Sequence, residues 1–277
     1  MNYQWYPGHM TKAKRMMQEN IKLIDLIIEL VDARIPMSSR NPDIDELGKG
    51  KSRIILLNAG LNQEWESFFK EKGYFVQPLN AKTGAGIKNI QALVQESCKE
   101  KIERDRKRGI INRPVRAMVV GIPNVGKSTF INSFAGKACA KTGNKPGVTK
   151  GKQWIRLNKN LELLDTPGIL WPKFEDQKIG ERLALIGSIN DEILHVDELA
   201  VALIRNLKNS YLDLLEKRYD ITIDEDAYDT LKRIAIARKC LQKGDFLVWV
   251  GESSMLLEDF RSGKLGRITL ERPEEWQ

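Results

Sequence analysis

Short, densely apolar runs alternate through residues 10–164 with stretches in which apolar side chains recur every third or fourth position. The runs at 25–31, 53–57, 75–79 and 115–121 are rich in Ile, Leu and Val and predict strands buried on both faces. Two further strands are predicted at 153–157 and 161–164, the second ending at Asp165. Helical spacing appears at 10–22, 43–47, 64–72, 87–108 and 127–134, and Gly73 supplies a stop for the third of these. The stretch 87–108 predicts one long helix whose end, Lys99 to Arg108, is charged with both signs, as a solvated face would be. Strands alternating with helices predict an α/β fold, a mostly parallel and doubly wound sheet. Beyond Trp171-Pro172 the strand signals stop, and helical periodicity at 199–207, 211–219 and 227–241 predicts a small all-helical domain. The expected division is 1–176 and 177–277, with a basic turn at Gly263-Lys264-Leu265-Gly266-Arg267.

The segment Gly121-Ile122-Pro123-Asn124-Val125-Gly126-Lys127-Ser128 fits the spacing G-x-x-x-x-G-K-S, after a predicted strand and before a predicted helix. Glycines there let backbone N–H groups curl around phosphates, and the helix N-terminus favours negative charge. Lys127 suits the β- and γ-phosphates of a nucleoside triphosphate, and the Ser128 hydroxyl suits Mg²⁺. The strand 161–164 ends in Asp165-Thr166-Pro167-Gly168, placing an acid for the same Mg²⁺ and a Gly168 amide for the γ-phosphate. Between these elements lies Lys145-Pro146-Gly147-Val148-Thr149, where Thr149 is the natural switch residue, its hydroxyl turning onto Mg²⁺ when the γ-phosphate is present.

The order of elements is rotated relative to Ras-like GTPases, whose base-specificity motif follows the phosphate loop. Here its candidate precedes the loop: an apolar strand ends at Asn58, and Asn80-Ala81-Lys82 resembles the base-contacting S-A-K loop. Joining old termini through 87–114 is easy because domain ends often lie close together. The whole chain resembles the circularly permuted ribosome biogenesis GTPase A family. The residues that carry the likeness are Trp5-Tyr6-Pro7-Gly8-His9-Met10, Asp32-Ala33-Arg34-Ile35-Pro36, Gly121 to Thr129, Pro146 to Thr149 and Asp165 to Pro172.

That resemblance implies a circularly permuted Ras-like P-loop GTPase domain, GTP hydrolysis, and a role in late maturation of the large ribosomal subunit. The alternative weighed beside it is a nucleotide-gated rRNA-binding module with vestigial hydrolysis. Nucleotide contacts are implied for Asn58, Asn80, Ala81, Lys82, Pro123, Asn124, Val125, Gly126, Lys127, Ser128, Thr129 and Gly168. Catalytic roles are implied for His9, Lys127, Thr149 and Gly168. Metal ligation is implied for Ser128, Thr149 and Asp165 with Mg²⁺, and for Asn124 with K⁺. Ile169 stands where Ras-type enzymes keep a water-orienting glutamine, so the family passes that task to His9, whose imidazole can accept or orient a water proton. One departure stands out: Ala59-Gly60-Leu61 follows Asn58 where N-K-x-D is the pattern, which weakens guanine selection unless Asn62 or Glu64 substitutes.

Composition then narrows the partners. A net charge of +8 favours polyanions, of which RNA is the commonest in a cytoplasm. The family resemblance implies that this RNA is rRNA, contacted by the C-terminal domain. Lys232, Arg233, Arg238, Lys239, Lys243, Lys264 and Arg267 are the candidate phosphate contacts. Cys98, Cys139 and Cys240 are scattered with no C-x-x-C pair, which argues against disulfides or a zinc site. No apolar stretch approaches the ~20 residues of a membrane span, and no signal peptide opens the chain. The expectation is a cytoplasmic protein that is a monomer away from the ribosome.

Overall fold

The computed structural model describes Tyr3 and residues 5–58, 63–111, 113–141, 152–238 and 249–276. These fall into two compact units, one of Trp5–Lys173 with Glu271–Gln277, the other of Met1–Gln4 with Phe174–Leu270.

The first unit is built on six strands: β1 (Leu26–Asp32), β2 (Ser52–Asn58), β3 (Phe75–Leu79), β4 (Val115–Val120), β5 (Gln153–Asn158) and β6 (Leu161–Asp165). Their order is β3-β2-β1-β4-β6-β5. Every neighbouring pair is parallel except β5 with β6. Counted from β4 as strand one and continued through the N-terminal strands, the order reads 2-3-1-4-5-6. That is the sheet of a phosphate-loop domain whose chain has been reopened elsewhere, as the rotated motif order predicted. The apolar runs form β1 and the middle of β2 because helices cover both faces of a parallel sheet.

The accompanying helices are α1 (Gly8–Asn20), α2 (Pro42–Leu47), α3 (Gln63–Glu71), α4 (Ile90–Ser97), α5 (Lys99–Lys107) and α6 (Lys127–Ala135). The single helix expected at 87–108 is instead a 3₁₀ turn, Ile87–Asn89, followed by α4 and α5. The break is at Cys98 (φ −106°, ψ 10°). There the Ser52 hydroxyl of β2 donates to the Ser97 carbonyl at 2.7 Å, so a tertiary contact takes a helical acceptor.

The end of the chain joins this unit. The Glu271 carboxylate accepts from the N–H groups of Met37 (2.8 Å) and Ser38 (3.1 Å) and from the Ser38 hydroxyl. Its carbonyl accepts from the Trp65 indole at 3.3 Å. Trp276 then packs on the cluster of Trp65, Phe68 and Phe69 from α3.

The second unit contains α7 (Gln177–Leu185), α8 (Val196–Leu207), α9 (Leu212–Tyr219), α10 (Ala227–Ala237) and α11 (Trp249–Ser262). Seven of the twelve residues of α8 are buried, and α7, α10 and α11 all pack on it. Asp176 and Asp226 cap α7 and α10 by accepting from Lys178 and Tyr228 N–H groups. The helix expected at 227–241 ends, among the described residues, at Ala237. The helix α11 had no counterpart among the predicted elements, because Gly251, Ser253 and Ser254 interrupt its apolar spacing.

Candidate nucleotide site

The phosphate loop leaves β4 where a side chain has no room. A Cβ on Gly121 would lie 2.7 Å from the Leu30 carbonyl oxygen of β1. Gly126 has a left-handed φ of 96°, and a Cβ there would meet Asn58 Nδ2 at 2.6 Å. The loop thus sits against β1 and β2, at the carboxyl ends of the strands, where open α/β sheets place their ligands.

Lys127 is buried, and its ammonium donates to the carbonyls of Gly121 (3.1 Å) and Ile122 (2.8 Å). Burial pushes its pKa down to about 8, opposed by the charge of Asp165. Asp165, at the end of β6, is also buried, and burial raises its carboxyl above the ordinary range against the pull of Lys127. Its Oδ1 is buried with no hydrogen-bond partner. A buried anionic oxygen left open beside the phosphate loop suits a hard cation, and Ser128 in the first turn of α6 adds a hydroxyl of the same kind.

Gly168 is pressed onto the loop. A Cβ there would stand 2.7 Å from Pro123 Cα and 2.9 Å from Lys127 Nζ. Thr166 donates to the Val119 carbonyl at 2.7 Å, and Asn41 Nδ2 donates to the Ile169 carbonyl at 3.2 Å. The Ile169 side chain is buried.

Asn58 ties the two ends of the site together. Its Nδ2 donates to the Val125 carbonyl at 2.8 Å, and its Oδ1 accepts from Ala81 N–H at 3.0 Å. Asn80 Oδ1 accepts from the N–H groups of Lys82 and Thr83, which shapes the second base-loop candidate as a tight turn. Ser133 of α6 donates to the Ala81 carbonyl at 2.6 Å. Phosphate loop, Asn58 and 80–82 loop are therefore one hydrogen-bonded assembly.

His9 lies in the first turn of α1 with an exposed side chain, edge-on to Trp5 at 6.2 Å between ring centroids. The sulfur of the adjoining Met10 accepts from Leu170 N–H at 3.4 Å, so α1 is tied to the segment that follows Gly168. Asn124 is exposed at the loop apex with a left-handed φ of 61°. Pro123 and Val125 are buried, and Thr129 is half-buried. Thr149 and its neighbours, Ala59-Gly60-Leu61 and Asn62 lie outside the described residues; Glu64 is exposed in the first turn of α3. The supports missed from sequence are Asn41 and Ser133, which belong to none of the motifs; Met10 stood in the motif Trp5 to Met10, but its contact with Leu170 was not foreseen.

Several candidate RNA-facing cations have protein partners. Lys232 pairs with Asp229 at 2.8 Å, and Arg233 with Asp224 at 2.5 Å. Arg238 and Lys264 both lie near Asp259, at 3.9 and 3.4 Å. Arg267 is exposed, while Lys239 and Lys243 lie outside the described residues.

A family model described as "50S ribosome-binding GTPase" matches residues 116–228. The chain is 48% identical to ribosome biogenesis GTPase A of Bacillus cereus, over all of this chain and 96% of that protein. The protein of the same name from Thermotoga maritima is 30% identical, covering 98% and 95% of the two chains. The chain belongs to the ribosome biogenesis GTPase A family. The family's fold is matched as well: the crystal structure of GNP-bound YlqF from T. maritima aligns with a TM-score of 0.65 at 26% identity, over 95% of this chain and 99% of that one. As a member of the ribosome biogenesis GTPase A family, the chain is a GTPase. No helix among the described residues is long and apolar enough to cross a membrane.

Proposed function

We propose that this GTPase is an assembly factor for the large ribosomal subunit, using GTP hydrolysis as a checkpoint late in its maturation. The family's name and the net charge of +8 support an RNA-rich partner. The observation that carries the chemistry is the partnerless, buried Oδ1 of Asp165 beside Lys127.

Asp165, Ser128 and Thr149 would hold Mg²⁺, which when bound supplies charge to the phosphates. Lys127 exchanges its two loop carbonyls for the β- and γ-phosphates. Gly168 offers its N–H to the γ-phosphate, and its lack of a side chain permits that approach. The loop residues Pro123, Asn124, Val125, Gly126 and Thr129 line the phosphates, with Asn124 also offering an amide oxygen to K⁺. Asn58 and the turn Asn80-Ala81-Lys82 hold the base. The buried Ile169 has no group with which to orient water, and that task falls to His9. The second unit, Phe174–Leu270, is the RNA-facing part, and Gly168 leads into it through the chain that enters α7. The protein acts as a cytoplasmic monomer away from the particle.

The test is GTP turnover in K⁺ buffer with and without large-subunit particles. Stimulation by particles is expected, and its absence overturns the checkpoint reading.

A further inference from the structure

The strand β5 forms one edge of the sheet, and its exposed face carries an unusual set of side chains. In register, Arg116 of β4, Glu162 of β6 and Arg156 of β5 form one row across three strands. Trp154, two residues along β5 from Arg156, points to the same face. Trp154 is 38% exposed, and the Arg116 guanidinium lies over its ring at 5.4 Å. Leu23, 46% exposed, completes with these residues and Ile155 a surface cavity of about 220 Å³.

The charges are unbalanced. Glu162 is engaged with Arg116 at 3.1 Å, while Arg156 is exposed with no carboxylate partner among the described residues. Lys152, the residue before β5, adds a third cation, tied to Asn20 at 3.3 Å. A sheet edge protected only against aggregation carries charges and avoids large exposed rings. Here an indole is kept at the surface among three cations. A planar ring for stacking, an arginine packed on it and cations beside it are the parts with which proteins hold unpaired nucleotides.

We infer that this patch binds single-stranded RNA, with a base stacked on the Trp154–Arg116 pair and the neighbouring phosphates held by Arg156 and Lys152. It lies in the GTPase unit and is made of residues other than those assigned to nucleotide. The inference rests on the ribosome being the partner and specifies how the GTPase unit itself takes part.

The probe is a short, fluorescein-labelled, single-stranded oligoribonucleotide carrying 5-bromouridine, used with the full chain. Irradiation should crosslink it to the Trp154 peptide. Trp154→Ala should weaken binding about tenfold, Trp154→Phe far less, and Arg156→Glu should lower the salt dependence. Affinity for labelled GDP should stay unchanged in all three, which separates the patch from folding and from the nucleotide site. Unchanged RNA affinity together with no crosslink overturns the proposal. Loss of particle binding by Trp154→Ala with oligonucleotide binding intact also overturns it, assigning the patch to a ribosomal protein. Failure of the unaltered chain to sediment with large-subunit particles would instead refute the ribosomal role itself.

Discussion

Asn58 offers a test of how the site is held together. Its amide faces an acceptor on one side, the Val125 carbonyl at 2.8 Å, and a donor on the other, Ala81 N–H at 3.0 Å. That pairing fixes which atom is nitrogen and which oxygen. Replacing Asn58 with Ala removes both bonds, each worth about 0.5–1.5 kcal/mol net, for a total of roughly 1–3 kcal/mol. Because the two bonds join the phosphate loop to the base loop, the loss should appear mainly in nucleotide affinity. At 1.4 kcal/mol per decade it amounts to a weakening of about 5- to 150-fold. Replacing Asn58 with Asp is a sharper perturbation. The Ala81 bond survives, but an anionic oxygen now faces the Val125 carbonyl where an N–H had been. Asn58→Asp should therefore bind more weakly than Asn58→Ala, although it is the closer match in shape. Displacement titration of a fluorescent GDP analogue measures both, with thermal melting to confirm folding. If Asn58→Asp binds as tightly as Asn58→Ala or more so, the Val125 contact is not what organises the loop.

Two other outcomes follow from buried charge. Lys127 has a folded pKa of about 8 against an ordinary 10.5, so between those values the empty site has lost a proton that the unfolded chain keeps. Burial of its charge therefore costs stability in full below pH 8, and the cost fades as pH rises toward 10.5. Phosphates restore the charge, so nucleotide binding at pH 8.5 should take up as much as about three quarters of a proton. Calorimetry in buffers of different ionisation enthalpy reads this directly, and zero uptake would contradict the assigned contact. Glu271→Ala removes a buried acceptor from three donors at Met37 and Ser38. It should destabilise the GTPase unit by about 2–4 kcal/mol and lower its melting temperature by roughly 5–15 °C; an unchanged melt would show that the terminal segment is only loosely attached.

The sheet was legible because strands covered on both faces must be apolar nearly throughout, and β1, β4 and the middle of β2 are. The rotated topology was legible too, since the phosphate loop, Asp165–Gly168 and Asn58 are recognisable locally and their order alone encodes the permutation. The break at Cys98 was not, because it depends on the Ser52 hydroxyl reaching a carbonyl from a distant strand. Nor was the role of Glu271, whose partners lie more than 230 residues away in sequence. Within the site, the motif residues announced themselves, while Ser133 and Asn41 act through position only. The cations in the helical unit show the converse limit: composition singled out Lys232 and Arg233, but not that Asp229 and Asp224 are placed to hold them.

The return of the chain at Glu271 changes how the helical unit must be regarded. It is an insertion fastened at both ends, leaving the GTPase unit after Lys173 and rejoining it at Glu271. Cutting the gene at residue 173 would therefore not liberate a self-sufficient GTPase; it would strip Trp276 from the α3 aromatic cluster and Glu271 from Ser38. A minimal enzyme that keeps both contacts would instead join Lys173 to Glu271 through a linker. In the intact chain the backbone passes between the two units at three places: before Trp5, after Lys173 downstream of Gly168, and before Glu271, whose carboxylate holds the loop that follows β1.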